Sequence, residues 1–144
     1  MKDTNPFEYA VIRTVPRVER EEFLNVGVVL YCRNQKFLKA KFEVDEKRLK
    51  SFSPGINMEK VCEYLTAFRQ ICEGDSHAGP IAQLPIAERF RWLTAPRSTI
   101  LQTSRVHSGL CDGAEAKLDM LFQRLVATNE TDNIVLDSIN PPNA

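Results

Sequence analysis

Phe7 to Thr14 reads FEYAVIRT, and its aromatic and β-branched residues alternate at the period of a strand. Tyr9, Val11 and Arg13 fall on one face, Ala10, Ile12 and Thr14 on the other. Pro16 ends the run, since proline cannot donate to a ladder. A charged connection, RVEREE, leads to Phe23–Cys32, whose sequence FLNVGVVLYC predicts a strand buried on both faces. Gly27 interrupts it, as at a bulge or a close approach by another group. After a turn at RNQK, Leu38, Ala40 and Phe42 alternate with Lys39, Lys41 and Glu43, the pattern of a half-exposed strand. Three such segments in succession make an antiparallel meander.

The period then changes. Asp45 caps a short helix, EKRLKSF, which SPG at 53–55 breaks. Asn57 caps a longer one that stops at Gly74. Its apolar positions, Met58, Val61, Cys62, Leu65, Phe68, Ile71 and Cys72, keep helical spacing and make one sheet-facing stripe. A loop, EGDSHAGP, follows. Pro85 opens a short helix through Leu93, and Pro96 stops it. Ser98–Ser104 reads as a further strand. Asp112 stands at the position of a capping box with Glu115, ahead of a helix bearing Leu118, Leu121, Phe122, Leu125 and Val126. From 128 onward the chain is a polar tail with one short strand at 134–136. The expectation is a single α+β domain over 1–144. An antiparallel sheet of about four strands would carry two main helices packed on one face.

Composition changes this picture little. With 43% hydrophobic and 26% charged residues the chain is an ordinary globule. Its start shows no apolar targeting segment. Its longest strongly apolar run, Val26–Cys32, is far below the ~18 residues of a membrane span. A cytoplasmic location without membrane attachment is expected. The four cysteines, at 32, 62, 72 and 111, have no C-x-x-C spacing and form no zinc pattern with His77 or His107. They read as reduced, buried thiols. No metal or cofactor is implied.

Charge matters more. Lys+Arg and Asp+Glu balance at 19 each, yet residues 89–110, RFRWLTAPRSTILQTSRVHSGL, hold four arginines and no acid. Overall neutrality argues against nonspecific DNA binding. A local basic segment suits a discrete anion. Taken as extended chain, RFRW puts Arg89 and Arg91 on one side, with Phe90 and Trp92 anchored in the core; in a helix the two arginines would stand about 200° apart. The APRST turn adds Arg97, Ser98 and Thr99, and Gln102, Ser104 and His107 continue the polar series. Arginine presents a planar fork of donors that fits phosphate and carboxylate. The plainer alternative is solvated arginines paired with Glu19, Glu21, Glu22 or Glu88, and a structural His107. Asn25, in a buried strand, needs hydrogen-bond partners whatever its role. No G-x-S-x-G elbow, Walker A lysine or H-E-x-x-H motif is present.

Two passages, YAVIRTVPRVEREEFLNVGVVLYC and RFRWLTAPRSTILQTSRVHSGLCD, resemble the bacterial family of domain of unknown function 3037. The resemblance runs from Tyr9 to about Val126. It implies a small bacterial cytoplasmic protein, often encoded beside a HipA-like kinase-fold protein, and implies no reaction. The family pattern falls on Arg13, Arg17, Asn25, Gly27, Arg89, Arg91, Arg97, Ser98, Gln102 and His107. Arg105 and Gly113 depart from it, each standing where proline is expected, which makes Arg105 the weakest member of the basic cluster.

The residues together suggest an arginine-lined cleft where the first strand ends against the 89–107 segment. Arg13, Arg17 and Asn25 would approach from one side, and Arg91, Arg97, Ser98, Gln102 and His107 from the other. Such a cleft would make the protein an accessory or binding module for a phosphorylated ligand, a nucleic-acid end or an acidic partner. One rival is a phosphoester hydrolase or nuclease with His107 as acid/base and Arg97 stabilising charge. Another is a protein–protein adaptor without a ligand site, working through the sheet edge.

Overall fold

The computed structural model of the chain describes residues 4–128 and 134–135. Three antiparallel strands come first: β1 (Asn5–Thr14), β2 (Leu24–Cys32) and β3 (Phe37–Val44). Helices α1 (Glu46–Phe52), α2 (Met58–Glu73) and α3 (Ile86–Leu93) follow. The chain then returns to the other side of β1. There β4 (Leu101–Thr103) pairs with Ile12–Thr14 and β5 (His107–Cys111) with Asn5–Tyr9. Helix α4 (Ala114–Leu125) comes next, and β6 (Ile134–Val135) pairs with β3. The sheet order is β4-β1-β2-β3-β6, with β5 also on β1. The expected α+β fold and antiparallel meander are present. The strand expected over 98–104 is confined to Leu101–Thr103, and a further strand starts at His107. Between them Ser104 turns inward: its N–H donates to Val11 O at 2.8 Å and its Oγ accepts from Val11 N–H at 2.9 Å. The remainder of the expected polar tail lies outside the described residues.

Local chemistry sets most boundaries. Asp45 accepts from Arg48 N–H at 3.1 Å and starts α1, and Asn57 accepts from Lys60 N–H at 3.0 Å and starts α2. Gly74 ends α2 with φ +68°, a left-handed conformation that suits glycine. The start of α4 differs from expectation. Its cap residue is Gly113, and Asp112 makes no side-chain cap. Gln35, from the β2–β3 turn, accepts from Ala114 N–H at 2.8 Å and donates to Asp112 O at 2.9 Å. A distant side chain thus does the work of a local cap.

The two main helices lie on opposite faces, not on one. Val61, Leu65 and Phe68 of α2 pack with Ala10, Ile12, Val29, Tyr31, Ala40 and Phe42. Leu118, Leu121 and Phe122 of α4 pack with Phe7, Val28, Leu30 and Cys32. Successive residues of a strand point to opposite faces, so these are two cores with the sheet between them. The reason is β2, buried from Val26 to Cys32 on both sides. A strand apolar on both faces needs a cover on each. Lys39 and Lys41 of β3 also point to the α4 side, 3.0 Å from Glu115 and Asp119 respectively.

Burial also sets thiol reactivity. Among the described residues no disulfide forms; Cys32, Cys72 and Cys111 are buried and Cys62 is partly so. Burial, with Glu73 adding to it, pushes the Cys72 thiol far above its usual range, and burial followed by Glu46 raises Cys62 more mildly. Raised values disfavour the reactive thiolate at neutral pH. The native protein is therefore expected to label slowly with iodoacetamide at one site, Cys62, and at all four only after denaturation. Mass spectrometry counts the adducts; rapid native labelling of Cys72 would contradict the packing.

Candidate functional site

The site grows from the end of β1. The register passes from Ile12↔Gly27 to Arg13↔Asn25, which leaves Val26 as the extra residue of a β-bulge. Arg13 pairs with Gln102 of β4 on its other side. Its guanidinium lies over the Phe23 ring, 4.0 Å from the centroid, and its Nε is buried with no hydrogen-bond partner. Beyond β1 the chain makes a 3₁₀ turn at Val18–Arg20, and Glu21 follows at φ +55°. These segments and the Arg97–Gln102 stretch enclose a recess of about 290 Å³. Its polar lining comes from Arg13, Arg97, Ser98, Gln102 and Glu21, and Phe23, Val15 and Val18 complete the wall.

Arg97 is held in place from below. Its Nε donates to Ala95 O at 3.3 Å, its Nη2 donates to Trp92 O, and its plane sits 4.4 Å over the Trp92 ring. Burial lowers its pKa, so part of its hydration is already lost. Gln102 Nε2 donates to Thr99 O at 2.9 Å, which leaves its Oε1 for other donors. Among the described residues neither Arg13 nor Arg97 has a carboxylate within ion-pair distance. The recess thus carries two guanidinium groups against the single carboxylate of Glu21.

Four of the eight expected site residues, Arg13, Arg97, Ser98 and Gln102, therefore meet where the cleft was expected. The other four do not. Arg17 is exposed on the 3₁₀ turn and pairs with Glu19 at 3.2 Å. Asn25 lies under α4, where its Nδ2 donates to Leu125 O at 3.2 Å and holds the helix end. Arg91 stands on α3, 3.9 Å from Glu8, in a separate groove of about 670 Å³. His107 stacks on Tyr9 with centroids 5.1 Å apart. Tyr9 lies four residues from Arg13 along β1, about 13 Å. Glu8, beside Arg91, points to the face opposite Tyr9.

The separate place of Arg91 follows from RFRW being helical. As part of α3 it sends Arg89 and Arg91 apart. Arg89 turns inward and donates to Leu84 O at 2.7 Å and Cys72 O at 3.4 Å, clasping the end of α2. Phe90 is buried as expected, but Trp92 is 39% exposed and is no core anchor. Sequence reasoning missed Phe23 and Glu21 in the recess wall. The one signal for Phe23 was an aromatic residue directly after a run of charges.

Fold and recess together define a small α+β domain with a surface recess lined by two guanidinium groups. The chain belongs to the family described as "Protein of unknown function (DUF3037)", which matches residues 9–126. No curated protein and no solved structure matches it.

Proposed function

We propose that this protein is a binding or accessory module whose Arg13–Arg97 recess holds a phosphate or similar anion. The observation that carries this is the pair of guanidinium groups, those of Arg13 and of the partly desolvated Arg97, lining one recess against the single carboxylate of Glu21. An anion's oxygens would pair with the Arg13 guanidinium where it lines the recess, and Arg97 and Ser98 would add further donors. His107 lies outside the recess, so the hydrolase rival loses the shared point that His107 and Arg97 need. A bacterial cytoplasmic setting and a HipA-like kinase-fold partner accompany this reading on family resemblance. Among the described residues no helix is long and apolar enough to cross a membrane.

Inorganic phosphate, compared with chloride at equal ionic strength, is expected to raise Tm. At ten times Kd the gain is about 1.4 kcal/mol, or about 4 °C for a chain of this size. In Arg13→Gln, which keeps most of the stem and removes the fork, that rise should disappear. The same rise in the variant would reject the recess as the site.

A further inference from the structure

A second recess adjoins the first. It is mainly apolar, about 200 Å³, and lies between α2, α3 and β4. Tyr64 and Phe68 of α2, Trp92 of α3 and Leu101 of β4 form its walls, and Arg97 and Gln102 line it as well as the anion recess. Leu101 and Gln102 point to opposite faces of the sheet, so the two recesses meet around the outer edge of β4. Among the described residues nothing pairs with that edge. Each recess alone is smaller than the roughly 300–1,000 Å³ of small-molecule sites, whereas the pair together falls inside that range.

Building on the anion reading, we infer that the two recesses form one site for a nucleoside monophosphate. The phosphate sits at Arg13 and Arg97, and the base lies in the Tyr64–Trp92 recess. Phosphate alone would leave the apolar half wet. A purely apolar ligand would leave the guanidinium groups uncompensated. A planar aromatic anion fills both halves. Tyr64 and Trp92 are each 39% exposed, a large share for aromatic residues, and a base with π faces covers such surfaces well. Arg97, stacked on Trp92, presents its plane at the junction, where base and phosphate would both reach it. Thr99 Oγ1, whose hydrogen goes to Leu101 O, and the spare Oε1 of Gln102 border the apolar half and can accept from ribose hydroxyls or an exocyclic amino group of the base.

Calorimetric titration of the full chain separates this inference from the reading it rests on. The probes are inorganic phosphate, ribose 5-phosphate, adenosine and adenosine 5′-monophosphate. The chain has one tryptophan, so its fluorescence reports on the base recess directly. The nucleotide should bind at least ten-fold tighter than ribose 5-phosphate and quench Trp92, while ribose 5-phosphate leaves the emission unchanged. Tyr64→Ala, a change at a partly exposed helix position, should cost the nucleotide roughly ten-fold in affinity. It should leave ribose 5-phosphate binding as it was. Equal affinity for the two phosphates without quenching overturns the base site and leaves the anion site standing. Binding of adenosine with no gain from the phosphate, or binding of none of the probes, overturns both.

Discussion

Leu118→Ala is expected to destabilise the protein by about 2–5 kcal/mol, Leu65→Ala by a similar amount, and the double variant by the sum of the two. Both leucines are fully buried, and removing three carbons from either leaves a cavity its neighbours cannot wholly refill. They belong to different cores. Leu118 packs from α4 against Val28 and Leu30, and Leu65 packs from α2 against the other face of the sheet. With the sheet between them they share no partner, so additivity within about 0.5 kcal/mol is expected. Urea unfolding of the two single variants and the double variant measures it. A coupling well above that value would mean that both helices press on one shared core.

Gly27→Val should cost about 3 kcal/mol, the upper part of the range for forced overpacking. A Cβ at this position would stand 2.7 Å from Lys41 O and 2.7 Å from the Phe42 ring. Neither can give way cheaply: one is backbone of the neighbouring strand, and Phe42 is fully buried. The damage should reach the site as well. Gly27 is the partner of Ile12 at the edge of the bulge, and the next β1 residue is Arg13. The valine variant is therefore expected to lose phosphate-dependent stabilisation along with stability. Gly27→Ala within 0.5 kcal/mol of the parent would show that β3 does not press as closely as these distances require.

Much of the frame was legible in the order of residues. Alternation in FEYAVIRT and FLKAKFE marked β1 and β3, since a half-buried strand must separate its two faces at period two. Asp45, Asn57 and Gly74 marked helix ends because their side chains, or the lack of one, act on the nearest few backbone groups. Gly27 announced a close approach. The convergence of Arg13 with Arg97, Ser98 and Gln102 was legible too, because an acid-free segment rich in arginine faced a strand with an arginine next to its end.

The rest needed the fold. The period of α4 showed that it has one apolar stripe, not which face of the sheet that stripe covers. The double-sided burial of β2 held the clue, for it demands a helix on each side. Gln35 capping α4 from 79 residues away left no local trace. RFRW fits a strand and a helix alike, and the two send Arg91 to different places.

The sequence by itself determined the antiparallel meander, the caps of α1 and α2, the close approach at Gly27 and a basic segment free of acids. These rest on interactions between neighbours in the chain, which any fold must respect. Only the tertiary structure decided that α2 and α4 take opposite faces. It alone set Arg91 and His107 apart from Arg13, and it let Arg97 stand between an ionic recess and an aromatic one. Those outcomes depend on which distant surfaces pack together, and apolar burial has no direction along the chain.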